Sequence, residues 1–148
     1  MSENVQTIVA SLVELWNTGN PEVAKRLYAT DAERRDPNLT EATRGPEEIA
    51  RYVAEVRVGY PDFTLHVNDV VAQDDRLAVH WTVAGTHRGE WQGIAPTGKR
   101  INISGLSLEV VENGKIVRDS VYFDRLTLLE QLGVSPEAVQ RKTSAAAG

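Results

Sequence analysis

The sequence predicts an α+β domain in which helices come first and antiparallel strands follow. As far as Tyr60, apolar residues recur at the spacing of one face of a helix. Beyond Tyr60 they alternate with polar residues, which is typical of half-buried strands. Because helices and strands occupy separate parts of the chain, we expect the helices to pack on one face of a curved sheet.

Three helices are expected in the N-terminal part. Residues 5–16 place their apolar side chains on one face, and Gly19 ends this first helix. Asn20 suits the N-cap of a short second helix, and Pro21 suits its first turn, where the missing N–H costs nothing. A third helix is expected to begin at residues 45–48, Gly-Pro-Glu-Glu, since the helix dipole favours acidic side chains there.

Four antiparallel strands are expected to follow, at residues 63–67, 77–84, 101–111 and 115–123. The last two strands are joined by Asn113-Gly114, a pair typical of tight hairpins because the turn requires positive φ. Residues 88–100 hold four turn-forming residues and predict a long loop or a distorted hairpin. A brief extended piece is expected at residues 32–38, and a last helix, capped by Asp124, at residues 126–132.

Composition limits the class of protein. A chain of 148 residues suits a single core, and its 41% hydrophobic and 25% charged residues are ordinary for a globular domain. The formal net charge of -5 argues against a nucleic-acid partner, which would require clustered Lys and Arg. The absence of cysteine excludes disulfides, a thiolate nucleophile and a cysteine-based metal site.

The domain is expected to span residues 1–135, followed by a tail at residues 136–148 whose last residues have nothing to bury and should fray. The N-terminus lacks the basic and apolar blocks of a signal peptide, and no apolar run is long enough to span a bilayer. We therefore expect a cytoplasmic protein without a membrane partner.

Both faces of the third predicted strand are apolar. Leu106, Leu108 and Val110 lie on one face, whereas Ile101 and Ile103 lie on the other. Helices cover one face of such a sheet, and a second copy of the chain is the expected cover of the other. The sequence therefore predicts a homodimer through the sheet.

The main candidate for chemistry is Asp119, in the strand that follows the Asn113-Gly114 turn. Alternation places its carboxyl group on the same face as Val117, Val121 and Phe123. Burial among these residues would raise the pKa of Asp119 towards the range useful for proton transfer. Asp119 could then act as general base and afterwards as general acid, although an ion pair with an arginine would also explain it.

Three further polar residues are candidates. Asp62 follows Pro61 where the third helix leads into the sheet, and it is either a polar partner in the pocket or a turn residue. His87 begins the long loop, where contact with substrate and stabilisation of a turn both remain open. Asp36 flanks Pro37 and either lines the cavity or is solvated. No histidine shows the spacing of metal ligands, so no metal is expected.

Large aromatic side chains are candidates for binding a flat ligand. Core packing is the favoured reading for Trp16 and Trp81, whereas a large apolar residue in a loop, as at Trp91, is harder to explain without a ligand or a partner subunit. The candidate aromatic residues are Trp16, Tyr52, Trp81, Trp91 and Phe123.

The predicted arrangement resembles the cone-shaped fold shared by nuclear transport factor 2, ketosteroid isomerase and scytalone dehydratase. Within that fold, several motifs resemble the SnoaL-like polyketide cyclase family. They are Trp-Asn-Thr-Gly at residues 16–19, Gly-Thr-His at residues 85–87, Gly-Glu-Trp-Gln-Gly-Ile-Ala-Pro-Thr-Gly-Lys at residues 89–99, Gly-Lys-Ile-Val at residues 114–117 and Leu-Leu-Glu-Gln-Leu-Gly at residues 128–133.

The resemblance implies an activity. Cyclases of that family close a ring of an aromatic polyketide ester by intramolecular aldol condensation, without metal or organic cofactor. Their acid/base group is a strand aspartate after the turn, helped by a histidine on the preceding strand. Aligned without gaps, those positions are Val121 and Ser107 in this sequence, and neither side chain can take over the proton transfer. Both are expected to contact substrate, and Asp119 lies two residues before Val121.

The main hypothesis is therefore a cofactor-independent enzyme that acts on a small polyketide-like molecule, with Asp119 in the acid/base role. Two alternatives remain open. Family relatives that lack the aspartate are linked to cofactor-independent hydroxylation of anthracycline precursors, and this fold also serves as a non-catalytic small-molecule-binding domain.

Overall fold

The computed structural model describes residues 2–139. That part of the chain forms four α-helices, six strands and a final 3-10 turn. In chain order the elements are α1 (Glu3–Thr18), α2 (Pro21–Leu27), β1 (Tyr28–Arg35), β2 (Thr43–Arg44), α3 (Gly45–Gly59), β3 (Thr64–Gln73), β4 (Arg76–Thr86), β5 (Arg100–Glu112), β6 (Lys115–Phe123), α4 (Arg125–Leu132) and the 3-10 turn Pro136–Ala138.

The strands form one sheet in the order β2-β1-β6-β5-β4-β3. Neighbouring strands run antiparallel except β1 and β6, which are parallel. The predicted α+β class, with helices packed on a mainly antiparallel sheet, is confirmed. The predicted number of strands is wrong, because β1 and β2 add to the four strands expected from the alternating pattern.

The strand β1 begins earlier than the expected extended piece at residues 32–38. The helix α2 ends at Leu27, and Tyr28 takes up extended φ and ψ angles of -106° and 142°. Tyr28 then pairs with Ile116 of β6, and its side chain is fully buried. The next residues of β1 are mostly polar, so the strand shows no alternation that the sequence could reveal.

The predicted ends of the helices and the predicted hairpin are confirmed. Gly19 ends α1 with a φ of 72°, and the Asn20 side chain accepts a hydrogen bond from the Glu22 amide at 3.0 Å. Asn113 and Gly114 both have positive φ, at 53° and 77°. These positions suit their residues because Gly and Asn tolerate the left-handed region that other residues avoid.

A β-bulge interrupts the hairpin formed by β5 and β6. Val111 pairs with Ile116 but Val110 pairs with Arg118, so Val117 is an extra residue in β6. Ile116 is fully buried and Val117 only half-buried, which corrects the expectation that Val117 shares the core face of Asp119. From Arg118 onward, each residue of β6 therefore pairs with a β5 residue whose number is one higher than in a regular hairpin. Arg118, for example, pairs with Val110 instead of Glu109.

The hydrophobic core lies between the helices and the inner face of the sheet. α1 packs against β3, and α3 packs against β1. Each of these helices buries one apolar face, namely Ile8, Leu12 and Leu15 in α1 and Ile49, Val53 and Val56 in α3. Over residues 2–139, no helix has both the length and the apolar character needed to cross a membrane.

The end of the described chain packs on the domain. Residues 136–139, which the sequence assigns to the tail, form a 3-10 turn, and Val139 is buried against Ile94 and Leu129. The rest of the expected tail, residues 140–148, lies outside the described residues, and the prediction that its last residues fray falls on that part.

Candidate functional site

The helices α1 and α3 and the inner face of the sheet surround a cavity. Most of its lining is apolar or aromatic, which suits a small organic ligand. Nine of the eleven residues singled out by the sequence line it, namely Trp16, Asp36, Tyr52, Trp81, Trp91, Ser107, Asp119, Val121 and Phe123.

The carboxyl group of Asp119 lies in the cavity lining at the inner face of β6, and the residue is 2% exposed. The Tyr28 hydroxyl donates a hydrogen bond to Asp119 Oδ2 at 2.8 Å, and Arg34 Nε lies 3.6 Å from the same oxygen. Asp119 Oδ1 is buried and receives no hydrogen bond from an N–H or hydroxyl group of residues 2–139, while the Asp119 carboxyl group also hydrogen-bonds to that of Glu109. Burial raises the pKa of Asp119, whereas Arg34 and the Tyr28 hydroxyl oppose the rise.

A second carboxyl group lies directly opposite. Glu109 of β5 pairs with Asp119 in the sheet, lines the same cavity and is 1% exposed. Its Oε2 is also buried and receives no hydrogen bond from an N–H or hydroxyl group of residues 2–139, and the Glu109 carboxyl group hydrogen-bonds to that of Asp119. Burial raises the pKa of Glu109 well above its ordinary value, and the negative charge of Asp119 raises it further. Two buried carboxyl groups this close cannot both ionise readily, so the pair retains a proton.

Arg34 of β1 provides the positive charge of the site. Its Nη1 donates a hydrogen bond to Asp36 Oδ2 at 2.7 Å. Its guanidinium carbon lies 5.1 Å from the ring centre of Trp16 and 5.3 Å from that of Tyr52. Burial disfavours the charge of Arg34, but the carboxylates of Asp36 and Asp119 outweigh it and raise the pKa of the guanidinium.

The indole ring of Trp81 lies over the backbone of Gly105, the residue opposite it in β5. Its Nε1 donates a hydrogen bond to Ser107 Oγ at 2.9 Å, which holds the indole in one orientation. A Cβ at Gly105 would overlap the far edge of the Trp81 ring, so no other residue fits there without displacing it. Phe123 packs edge-on against Trp81, with ring centres 6.2 Å apart.

Trp91 projects from the loop between β4 and β5 into the cavity lining. It lies 6.1 Å, between ring centres, from both Tyr52 and Tyr60. Its backbone exchanges two hydrogen bonds with Ile94 around a tight turn. A Cβ at Gly59 would come within 3.1 Å of the Trp91 Cβ, so the end of α3 and the loop pack closely. The sequence motif around Trp91 thus closes one side of the cavity.

His87 does not line the cavity. The Thr97 amide donates to His87 Nδ1 at 3.1 Å, and the ring lies 5.4 Å from that of Tyr60. The His87 backbone also bonds to Gly98 and Lys99 across the base of the loop. Burial lowers the pKa of His87, which keeps the ring neutral. These contacts favour the turn-stabilising role over contact with substrate.

Asp62 also lies outside the cavity lining. Its carboxylate accepts hydrogen bonds from the Thr86 amide at 2.6 Å and from the Thr86 hydroxyl at 2.8 Å. These bonds from Thr86 lower the pKa of Asp62 and tie the residues before β3 to the end of β4. The position favours the turn role that the sequence left open.

Several residues of the site were missed by sequence reasoning. Arg34 and Tyr28 lie in β1, which carries no strand pattern. Glu109 lies on the inner face of β5, and the bulge in β6 brings it opposite Asp119. Tyr60 lines the cavity with a buried hydroxyl that has no hydrogen-bond partner among residues 2–139, and burial raises its pKa. The available signal was Glu109 itself, a charged residue in the apolar run 101–111.

Arg34 neutralises part of the charge of the carboxylates in the cavity lining, since it pairs with Asp36 and lies near Asp119. Among residues 2–139, no group of three or more His, Cys, Asp or Glu side chains has an arrangement that could hold a metal ion. The buried carboxyl groups of Asp119 and Glu109 are suited to proton transfer.

Comparisons with known proteins agree with this fold. The model of the SnoaL-like polyketide cyclase family matches residues 6–132. Aklanonic acid methyl ester cyclase AcmA from Streptomyces galilaeus is 31% identical over 147 residues, which are 96% of this chain and 99% of AcmA.

Solved structures show the same architecture. IdmH from Streptomyces antibioticus, a candidate polyketide cyclase, is 29% identical, with a TM-score of 0.74 over 90% of this chain and 100% of IdmH. TsrD from Streptomyces laurentii superposes with a TM-score of 0.81 over 91% of this chain and 99% of TsrD, at 21% identity. Since the family model covers most of the chain and a cyclase matches nearly all of it, the chain belongs to the SnoaL-like polyketide cyclase family.

Proposed function

We propose that this protein closes a ring in a polyketide-like ester by aldol addition, with Asp119 as the group that removes the proton. The observation that carries the proposal is the carboxyl group of Asp119, which is buried in the lining of an aromatic cavity and hydrogen-bonds to a second carboxyl group, that of Glu109. A buried carboxylate with a raised pKa is suited to take a proton from a carbon between two carbonyl groups. AcmA, which matches along its whole length, is a cyclase of aklanonic acid methyl ester.

The cavity supports this reaction in two further ways. Its aromatic side chains can stack on a flat, conjugated substrate, and Trp81 is held rigidly for that purpose by its bond to Ser107. The unpartnered Tyr60 hydroxyl can donate a hydrogen bond to a substrate carbonyl, because burial keeps the phenol neutral. The addition is redox-neutral, so we propose that it needs no cofactor.

The proposal is tested by incubating the purified protein with aklanonic acid methyl ester under ¹⁸O₂ and identifying the product by mass spectrometry and NMR. A ring-closed product with the mass of the substrate is expected. A product that carries ¹⁸O would identify a hydroxylase instead. Saturable binding without any product would favour a ligand-binding domain, and either result would overturn the proposal.

We also propose that the chain forms a homodimer through the outer face of the sheet. Leu106 and Tyr122 face each other across β5 and β6 and are 45% and 65% exposed, and Leu108 beside them is 37% exposed. An exposed apolar cluster of this kind on a sheet face is typical of an interface between subunits.

The expected cytoplasmic location of the protein stays a prediction.

Replacing Leu106 with glutamate should convert the dimer to a monomer, because two buried carboxylates would face each other across a twofold interface. Sedimentation velocity at micromolar concentration measures the change. Val58→Glu is the matched control, since Val58 is 64% exposed but lies on α3, away from the sheet. A wild-type monomer, or an unchanged dimer in L106E, would contradict this interface.

A further inference from the structure

We infer that Glu109 is a second catalytic residue, which gives a proton to the oxygen produced by ring closure and takes one back from Asp119. The inference rests on the proposed function, since it assigns the acid of the same reaction. It begins from the pairing of Glu109 with Asp119 across β5 and β6.

The geometry places both carboxyl groups against the same substrate. Opposite residues in an antiparallel pair point to the same face, and both side chains contribute to the cavity lining. Glu109 Oε2 and Asp119 Oδ1 are buried and receive no hydrogen bond from any N–H or hydroxyl group of residues 2–139, whereas the two carboxyl groups hydrogen-bond to each other. Such a bond requires a proton on one of the two groups, so the pair holds a proton that can be transferred at the cavity lining.

The surroundings of the two carboxyl groups differ, and the difference decides which one holds the proton. Asp119 accepts a hydrogen bond from the Tyr28 hydroxyl and lies 3.6 Å from Arg34 Nε. Glu109 faces the negative charge of Asp119 and hydrogen-bonds to it, which favours the protonated form of Glu109, and the attraction of Arg34 is the smallest influence on its carboxyl group. Asp36 adds a negative charge near Asp119, and it is itself paired with Arg34.

The directions of the pKa shifts agree with this geometry. Burial and Asp119 raise the pKa of Glu109 well above its ordinary value, whereas Arg34 and Tyr28 restrain the rise at Asp119. The pair therefore enters the reaction with Asp119 ionised and Glu109 neutral. Two carboxyl groups whose environments separate their pKa values in this way are suited to act as base and acid.

The reaction then balances without any other reagent. Asp119 takes the proton from the carbon between two carbonyls, and the C–H electron pair becomes an enolate. The enolate carbon bonds to a ketone carbon, and the π pair of that carbonyl moves to its oxygen. Glu109 gives its proton to this alkoxide, and the proton on Asp119 passes to Glu109, which restores both groups. Substrate and product are isomers.

The location of the proton is tested first, in the wild-type protein without substrate. The carboxyl carbons of Glu109 and Asp119 are assigned by ¹³C NMR through bonds to their own backbones and followed from acid to alkaline pH. Glu109 should remain neutral far above its ordinary pKa of 4.5. The inference would be overturned if Glu109 ionises near that value, or if Glu109 ionises at a lower pH than Asp119.

The role in turnover is tested with Glu109→Gln, which keeps the size of the side chain but cannot transfer a proton. We expect the turnover number to fall by a factor on the order of 10²–10⁴, with KM within a few-fold of wild type. The alkaline fall of the wild-type pH–rate profile should disappear, because that fall reports the loss of the Glu109 proton. Glu112→Gln is the matched control, since Glu112 lies on the same strand and is exposed.

The two tests separate the inference from the proposed function. If the wild type closes the ring and E109Q retains its rate and its alkaline fall, Glu109 is not the acid and the inference fails alone. If the wild type closes no ring, the proposed function fails together with the catalytic role of Glu109. The NMR titration still decides which carboxyl group holds the proton.

Discussion

Replacing Asp119 with asparagine should lower the turnover number by a factor on the order of 10²–10⁴ and leave the fold intact. Asparagine has nearly the size of aspartate, and its carbonyl oxygen can still accept the hydrogen bond from the Tyr28 hydroxyl. It cannot take a proton from carbon. Because the cavity lining is otherwise unchanged, KM should remain within a few-fold of the wild-type value.

Steady-state kinetics on the ring-closing substrate measure this effect, and near-ultraviolet circular dichroism reports the packing of the aromatic residues. Asp124→Asn is the matched control. Asp124 caps α4 through a bond from the Thr127 amide, and asparagine is an equally good N-cap. Wild-type turnover in D119N would show that the base lies elsewhere in the cavity.

This prediction could be made in outline from sequence, because Asp119 interrupts an apolar strand after a recognisable hairpin turn. Such features are local: Gly19, Asn20 and the Asn113-Gly114 pair each determine their own φ angle or hydrogen bond. The alternation of β6 was therefore enough to place the Asp119 carboxyl group on the inner face, although it misplaced Val117.

The partners of Asp119 could not be found in that way, because they depend on register. In a regular hairpin closed at Asn113-Gly114, Glu109 would lie opposite Arg118 and form a simple ion pair. The bulge at Val117 shifts the pairing by one residue and brings Glu109 opposite Asp119 instead. No local pattern of residues distinguishes the two registers, since Val117 is as suitable for a regular strand as for a bulge.

Arg34 was missed for a related reason. It lies in β1 among polar residues, and only the parallel pairing of β1 with β6 brings it beside Asp119. Parallel pairing joins segments that are far apart in sequence, so hydrophobic periodicity contains no signal for it. The sequence predicted Asp119 as the candidate base, but it predicted neither the positive charge of Arg34 beside it nor the second carboxyl group, that of Glu109.

Replacing Arg34 with methionine should lower the free energy of unfolding by about 3–5 kcal/mol at neutral pH, because it leaves buried charge without compensation. Methionine fills much of the same space and can still contact Trp16 and Tyr52. It provides no positive charge for Asp36 or Asp119, whose side chains are 2% and 3% exposed. Urea denaturation followed by tryptophan fluorescence measures the loss.

The loss should shrink as the pH falls towards 4. Without Arg34 the folded-state pKa of Asp119 rises further above its unfolded value, so the folded protein binds more protons than the unfolded chain. The free energy of unfolding of R34M then decreases as the pH rises from the unfolded-state pKa of Asp119 to its folded-state pKa. The difference from wild type is greatest at a pH where Asp36 and Asp119 are both ionised in the unfolded chain.

Arg35→Met provides the matched control, because Arg35 is the next residue of β1, points to the opposite face and is exposed. It should change the free energy of unfolding by no more than about 0.5 kcal/mol. An R34M protein as stable as R35M at neutral pH would show that the fold does not depend on Arg34 to compensate buried carboxylate charge. The pairing that is taken to keep Asp119 ionised at the start of the reaction would then lose its support, so this stability measurement also bears on the mechanism.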